Sequence, residues 1–401
     1  MQHLRLVRIP YGYLLLSAGL LRLAFVLLSG KLQDTEYWEY GQLAQQLLAG
    51  HGYSFPFTDA KLQFLPEQYY PSSLMPPGYV FFLLPFLLIS DAFLRNLLLF
   101  SMQTALSLLA MYLVYRWSEK HFEKPLALLI LLLQALYPEL IYAVCTVGPT
   151  IWFHLLFAGL LYGLSEKKHP ALNGAVAAML VLMRAEALLP TGLLIMNAYL
   201  PKQKKAFLIF ALTLICCLLP WLIRNQLQFG KPMLSASAGV NFFRGNNPVE
   251  IGEWPVFSKD KEQRLRAEPV SYEQKIDSMS MQQAKAWITE NPAAFLVRLP
   301  EKLARFWLLD WPDPRAHHLL YLLPWFLCLP AGIAGLMRRP FAGRAQLLML
   351  FGSYSLIVLI FFPQIRYLTL VKFFWLIPAG LGFYYLWHRL FPESKFLASA
   401  E

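Results

Sequence analysis

The chain has 401 residues, of which 57% are hydrophobic, 15% aromatic and 15% charged. Soluble globular domains carry about 25% charged residues, so this composition excludes an ordinary soluble enzyme and a disordered chain, and four cysteines are too few for a disulfide-stapled secreted module. The net charge of +11 comes from basic residues grouped in short clusters between apolar runs, which is typical of cytoplasmic loops and argues against nucleic-acid binding.

The apolar runs predict an all-α polytopic membrane protein, because about 20 apolar residues cross a bilayer as a helix. In chain order the predicted spans are 11–29, 94–115, 126–143, 150–164, two short helices within 171–200, 206–223, 319–337, 345–362 and 367–387. About ten transmembrane helices result. The basic clusters place both termini on the cytoplasmic side of the plasma (inner) membrane.

The same runs divide the chain into three parts. Residues 1–223 form an N-terminal transmembrane module with an external loop at 30–76, residues 224–318 form an external, mostly helical region, and residues 319–401 hold the last spans. Residues 76–90 are too short to span and are flanked by prolines, so we expect a juxtamembrane or re-entrant helix. A further helix is predicted at 271–291, where Asn291-Pro292 would end it.

The first group of residues that can carry chemistry follows the first span. Asp34, Glu36 and Glu39 precede a stretch, 40–48, whose apolar residues recur at helical spacing, which predicts an amphipathic helix along the membrane surface. Partial burial raises carboxylate pKa values, so one of these acids is a candidate general base. The structural alternative is that Asp34 caps the helix and that the glutamates stabilise its positive end.

Charged residues inside or beside apolar runs form the second group. Arg184 and Glu186 interrupt an apolar stretch, which indicates either a functional site or a structural ion pair. Arg22, in the outer half of the first span, is expected to pair with one of the acids. Arg366 lies in an external turn. No arrangement of side chains suggests a metal site.

A third group joins Arg224-Asn225, at the end of a span, to Arg244 and Asn246-Asn247 in a glycine-containing loop. Glycines allow backbone N–H groups to approach a ligand, and arginines bind phosphate through two parallel hydrogen bonds. Snorkelling to the membrane interface explains Arg224 alone, but it does not explain the loop. These residues are therefore candidates for phosphate binding.

Seven short motifs now point to a family. In order they are Tyr40-x-x-x-Ala44, Gly50-x-Gly52-Tyr53, Pro76-Pro77-Gly78-Tyr79, Tyr137-Pro138, Arg184-x-Glu186, Pro220-Trp221-x-x-Arg224-Asn225 and Gly245-Asn246-Asn247-Pro248. Over nearly its whole length the chain resembles the lipid-carrier-dependent glycosyltransferases of the GT-C fold. The nearest groups are the bacterial relatives of protein O-mannosyltransferases and of the aminoarabinose transferase of lipid A.

This resemblance implies a GT-C fold and transfer of a hexose or pentose, with inversion, from a polyprenyl-phosphate donor to a glycan, lipid or protein acceptor on the extracytoplasmic face. It implies no nucleotide sugar, no cofactor and no obligatory divalent metal. Glu36 occupies the position of the family's catalytic carboxylate, with Asp34 as the other candidate. The expected substrate- and phosphate-binding residues are Arg22, Glu39, Arg184, Glu186, Arg224, Asn225, Arg244, Asn246, Asn247 and Arg366.

Two alternatives stay open. A transporter or flippase of lipid-linked sugars would share the charged intramembrane groups, but it would not need carboxylates beside an external amphipathic helix. A noncatalytic relative is suggested by Val147-Gly148-Pro149-Thr150, because Pro149 stands where relatives often carry an acid.

Overall fold

The computed structural model describes residues 10–35, 37, 39–58, 64–166, 169–200, 203–338, 340–341 and 343–391. The elements of the first half are α1 (Tyr11–Leu28), α2 (Tyr40–Leu48), β1 (Ser54–Thr58), β2 (Phe64–Pro71), α3 (Pro77–Leu87), α4 (Ala92–His121), α5 (Lys124–Leu136), α6 (Pro138–Tyr142), α7 (Thr150–Glu166), α8 (Pro170–Met183) and α9 (Leu188–Tyr199). Those of the second half are α10 (Lys204–Phe229), α11 (Ala238–Gly245), α12 (Lys259–Arg266), α13 (Tyr272–Glu290), α14 (Pro292–Trp307), α15 (Leu319–Arg338), α16 (Arg344–Ile360) and α17 (Ile365–Leu390).

Five of the described helices, α1, α4, α10, α15 and α17, are long and apolar enough to cross a membrane. A sixth span results if α5 and the chain from Pro138 to Cys145 count as one helix bent by 59°. The expected number of about ten spans is not confirmed. Helix α16, which was predicted as a span, is one of the shorter apolar helices, as are α3 and α8, which were expected to be short. The sequence Tyr137-Pro138 breaks α5 because proline cannot continue the helical hydrogen bonds.

The centre of the bundle is α17, which is buried along most of its length and packs closely on α15. Small residues make this approach possible: a Cβ atom on Gly335 would lie 2.0 Å from the carbonyl oxygen of Pro378, and one on Gly382 would lie 1.9 Å from that of Ala331. Close backbone contact through glycine is the usual way in which apolar helices associate in a bilayer. The outer helices α1 and α10 leave most of their apolar side chains exposed, as lipid-facing helices do.

The prediction of an all-α chain is wrong in the loop after the first span. Strands β1 and β2 form an antiparallel hairpin in which Ser54 pairs with Pro71 and Phe55 with Tyr70, with an irregularity after Pro56. Aromatic residues favour strands, and the hairpin is held from one side by Tyr272, whose ring lies 4.8 Å from that of Tyr70. The prolines within it explain why the alternating pattern of a strand is hard to see in the sequence.

Two loop helices lie where the sequence predicts them. The amphipathic helix 40–48 is α2, and the helix 271–291 is α13. Helix α10 continues to Phe229, beyond the expected domain limit at residue 223, and the 224–318 region contains the helices α11 to α14. The three-part division of the chain stays a prediction.

Gly245, the last residue of α11, provides a test of this packing. A Cβ atom there would lie 1.7 Å from the carbonyl oxygen of Phe361, so Gly245→Ala forces backbone atoms apart, and we expect a loss of about 1–3 kcal/mol or more in stability. The matched control is Gly352→Ala in α16, where no atom lies within 4 Å of the new Cβ. Thermal unfolding in detergent should show a lower Tm for the first variant only, and equal Tm values would contradict this packing.

Candidate active site

Five charged side chains meet at the end of the bundle where α8, α10 and α16 finish and α17 begins: Glu39, Arg184, Glu186, Arg244 and Arg366. We call them the boundary cluster. Arg366 Nη1 lies 3.5 Å from Glu39 Oε2, and Arg184 Nε lies 2.5 Å from Glu186 Oε1. All five were predicted as binding residues, and the structure brings together groups that are up to 327 positions apart in the chain (Glu39 to Arg366).

Glu186 lies in a 3₁₀ turn (Ala185–Ala187) between α8 and α9, and Arg184 directly precedes this turn. The Arg184 side chain is buried, and its guanidinium lies over the Tyr367 ring at 5.3 Å. The two residues form an ion pair, as expected if their role is structural. The buried Tyr354 hydroxyl, on α16, lies close enough to the pair for the charges of both residues to act on it.

The buried Tyr40, at the start of α2, connects the two ion pairs. The charges of Arg184, Glu186, Glu39 and Arg366 all act on its phenol, and burial raises the pKa of Tyr40 well above its ordinary value. Next to it, Glu39 has φ 53° and ψ −90°, a left-handed conformation that is strained for a residue with a side chain. Such strain is concentrated at functional sites, and here it directs a partly exposed carboxylate toward Arg366.

Arg244 is held between two aromatic rings. Its guanidinium lies 4.1 Å from the centre of the Trp254 ring and 4.0 Å from that of Phe362, and its Nε donates to the carbonyl oxygen of Gly252 at 3.0 Å. Burial, together with the positive charge of Arg366, lowers the pKa of Arg244 to about 10, so the group stays cationic at neutral pH. Three guanidinium groups against two carboxylates leave the boundary cluster one positive charge in excess, which suits a phosphate ligand.

The two residues predicted as catalytic have different outcomes. Glu36 lies outside the described residues. Asp34 is exposed, and its backbone carbonyl accepts a hydrogen bond from Asn96 Nδ2 at 2.8 Å. The same buried Asn96 accepts from the Tyr37 hydroxyl, so the segment that carries the acids is fixed to α4. Of the two described acids in this segment, Asp34 and Glu39, only Glu39 belongs to the boundary cluster, through its ion pair with Arg366.

Arg224 and Asn225 hold the hairpin. Arg224 donates from Nη1 to the carbonyl oxygen of Ser72 at 2.7 Å and from Nη2 to that of Tyr53 at 3.1 Å. Its Nη1 also donates to Asn225 Oδ1. The Nδ2 atom of Asn225 in turn donates to the Met233 carbonyl at 2.6 Å. The Trp-x-x-Arg-Asn sequence thus fixes the first loop to the end of α10.

Arg22 is fully buried and does not pair with a described acid, in contrast to the expectation. Its guanidinium donates to the carbonyl oxygens of Gln134, Ala135 and Ala18 at 3.0, 3.2 and 3.3 Å. The first two carbonyls lie at the end of α5, where Pro138 prevents the normal helical hydrogen bonds. Arg22 therefore stabilises the bend between α5 and α6.

Asn246 and Asn247 are also fully buried. Asn246 Nδ2 donates to the Ile360 carbonyl at 3.0 Å, and its Oδ1 accepts from Lys302 Nζ at 3.0 Å. Asn247 Nδ2 donates to the Glu250 carbonyl at 2.8 Å. These contacts leave neither side chain exposed to a ligand, so the two amides shape the loop that follows Arg244, and their role in phosphate binding stays a prediction.

Two buried polar contacts were missed by sequence reasoning. Lys372 Nζ lies 2.5 Å from Glu139 Oε2 inside the bundle, and charges within apolar runs were the signal that could have shown them. Glu273, on α13, accepts hydrogen bonds from Ser72 Oγ at 2.6 Å and from the Ser73 N–H at 2.7 Å. Nothing in the polar sequence around Glu273 distinguishes it from a surface acid. Within the described part of the chain, no group of three or more His, Cys, Asp and Glu side chains is placed to hold a metal ion.

Comparisons with known proteins give a limited result. No family model and no curated protein matches the chain. Two solved structures of the Archaeoglobus fulgidus oligosaccharyltransferase are similar: the apo form, with a TM-score of 0.49 and 12% identity, and AglB with an inhibitory peptide and a dolichol-phosphate, with a TM-score of 0.48 and 11% identity. Each match covers 97% of this chain, which spans about half (52%) of the length of those proteins. Likeness at this level assigns neither activity nor substrate.

Glu273 gives a pH-dependent prediction. Burial raises its pKa from 4.5 to about 7, so the folded protein binds this proton more tightly than the unfolded chain. Stability is therefore expected to fall as pH rises from about 4.5 to 7, by about 3 kcal/mol for this group. Thermal unfolding of the wild type and of Glu273→Gln across this range measures the effect, with Glu290→Gln, at an exposed position of α13, as control. Parallel Tm curves for wild type and Glu273→Gln would contradict the assignment.

Proposed function

We propose that this protein is an integral-membrane glycosyltransferase of the GT-C class that uses a polyprenyl-phosphate-linked sugar. The observation that supports it best is the boundary cluster, in which arginines outnumber carboxylates at one end of an apolar helix bundle. A lipid-linked sugar needs apolar helices for its isoprenoid tail, cations for its phosphate and a carboxylate for the acceptor proton. These three kinds of group occur together here.

The reaction follows from these groups. An acceptor hydroxyl or amine attacks the anomeric carbon while a carboxylate takes its proton, and the bond between that carbon and the phosphate oxygen breaks. Polyprenyl phosphate leaves as an anion, so it needs a nearby cation and no general acid. We assign the stabilisation of this charge to Arg244 and Arg366. Attack opposite to the leaving group inverts the anomeric configuration.

The base comes from the segment that contains Asp34, Glu36 and Glu39. The resemblance of the sequence favours Glu36 or Asp34. The contact between Glu39 and Arg366 adds a role for Glu39, which holds this arginine beside the phosphate position or takes the proton itself. The acceptor is a glycan, lipid or protein on the extracytoplasmic face of the plasma membrane, and the reaction requires neither a cofactor nor a divalent metal.

The carboxylates are tested with purified protein in liposomes and extracted polyprenyl-phosphate sugars. Mass spectrometry measures the release of free polyprenyl phosphate. We expect release by the wild type and a loss of about 10²–10⁴-fold in the double variant Asp34→Asn/Glu36→Gln, as for removal of a general base. Glu39→Gln is expected to lose activity as well, because Arg366 loses its partner, whereas Glu290→Gln should retain it.

Two results would contradict the proposal. If the folded double variant and Glu39→Gln both transfer sugar at the wild-type rate, the base does not lie in this segment. If the wild type releases no polyprenyl phosphate from any carrier-linked sugar, a transporter of lipid-linked sugars or a noncatalytic relative explains the fold better. Pro149 would then be the first position to examine.

Arg244 allows a second test of the site. Arg244→Lys keeps the charge but loses the flat guanidinium that lies between Trp254 and Phe362, and Arg244→Met loses both. We expect kcat to fall by about 10²–10³-fold in Arg244→Met and less in Arg244→Lys. Arg264→Met, at an exposed position of α12, is the control. An unchanged kcat in Arg244→Met would remove this arginine from the site.

A further inference from the structure

Helix α14 has the reverse of the polarity of a surface helix. The residues that face outward along it are Ala293, Leu296, Val297, Pro300 and Glu301, at the spacing of one helical face. Leu296 and Val297 are 62% and 72% exposed, and Glu301 is the one charged residue in this set. A helix that lies against water normally turns its apolar residues inward and its charges outward.

The basic residues of α14 point into the protein, where they bind backbone carbonyls. Lys302 Nζ donates to the Leu359 carbonyl at 3.0 Å, and Arg298 Nη1 donates to that of Asn247 at 2.5 Å. Arg305 Nη1 donates to the Ile251 carbonyl at 3.2 Å. Lys302 and Arg305 are buried and Arg298 is half-buried, so the outward face has an almost purely apolar character.

The C-terminal end of α14 contacts α15 and α16, two apolar helices of the bundle. It contacts each of them about two turns away from the nearer helix end. The carbonyl oxygen of Trp307 accepts from Trp325 Nε1 at 2.7 Å, and Trp307 Nε1 donates to Ser355 Oγ at 2.9 Å. Trp325 is the seventh residue of α15, about 9 Å from its start at 1.5 Å per residue. Ser355 lies about 8 Å before the end of α16 by the same measure. Because α15 is a candidate span, the contact at Trp325 places the end of α14 beside a segment that is expected to lie within the bilayer.

We propose that α14 is an interfacial helix whose outward face, centred on Leu296 and Val297, contacts the lipid of the bilayer leaflet at the cluster end of the bundle. This surface continues onto α16, where Leu356 and Ile360 are exposed apolar residues. Val249 extends it on the other side: its carbonyl accepts from Arg298, and its side chain is 70% exposed. Lipid fits a face of this polarity, since burial of apolar side chains at the headgroup boundary is favourable.

The test needs no substrate and is independent of the proposed activity. Val297→Cys and Leu296→Cys are labelled with a nitroxide in the full-length protein in nanodiscs, in a background where the exposed Cys216 and Cys217 are replaced by alanine. Collision with lipid-soluble oxygen and with an aqueous nickel chelate is then measured. Gln283→Cys, an exposed polar position on α13, is the matched control.

We expect strong broadening by oxygen and near-complete loss of broadening by the nickel chelate at positions 296 and 297, with the opposite result at 283. Collision with the nickel chelate at 297 equal to that at 283 would overturn the proposal, because the helix would then face water. Protection from both reagents together with dipolar broadening between labels would also overturn it, since a second copy of the chain would cover the face.

Discussion

Carbonyl groups at helix breaks and loop bends need hydrogen-bond donors where little water reaches them, and in this chain buried or half-buried basic side chains supply them. Arg22 binds the end of α5, Arg224 binds the hairpin, and Lys302 binds the end of α16. An unpaired buried carbonyl costs free energy comparable to a lost hydrogen bond, so each of these contacts permits a break that an apolar bundle would otherwise not tolerate.

This requirement divides the cations of the chain into two classes. In one class, Arg22, Arg224 and Lys302, the side chain donates to backbone carbonyls of distant segments. The other class lies in the boundary cluster: Arg184 and Arg366 pair with carboxylates, whereas Arg244 lies against two aromatic rings and donates to the Gly252 carbonyl. Both classes look alike in the sequence, since each is an arginine next to apolar residues. The structure separates them by their partners, which are carbonyls of distant segments in the first class and carboxylates or aromatic rings in the second.

The sequence therefore predicts the positions of the helices better than the roles of individual charged residues. Apolar runs located α1, α2, α10 and α17 because hydrophobic periodicity is a local property. The hairpin β1–β2 was missed, because its pairing depends on aromatic partners in a distant helix, and the reversed polarity of α14 cannot be recognised without knowing which side faces lipid. Of the predicted binding residues, those of the boundary cluster come together, whereas Arg224, Asn225, Asn246 and Asn247 make scaffold contacts.

The scaffold also relates the boundary cluster to the membrane. Lys302 joins α14 to Asn246, which follows Arg244 by two residues, and Arg305 holds Ile251, which precedes Trp254 by three. The loop that encloses the Arg244 guanidinium is thus fixed to α14. If the outward face of α14 lies in the headgroup boundary, Arg244 is held at a constant height above the acyl chains. Under the proposed function, in which the boundary cluster binds the phosphate of a lipid carrier, the depth of α14 would then set the distance between these cations and the membrane surface.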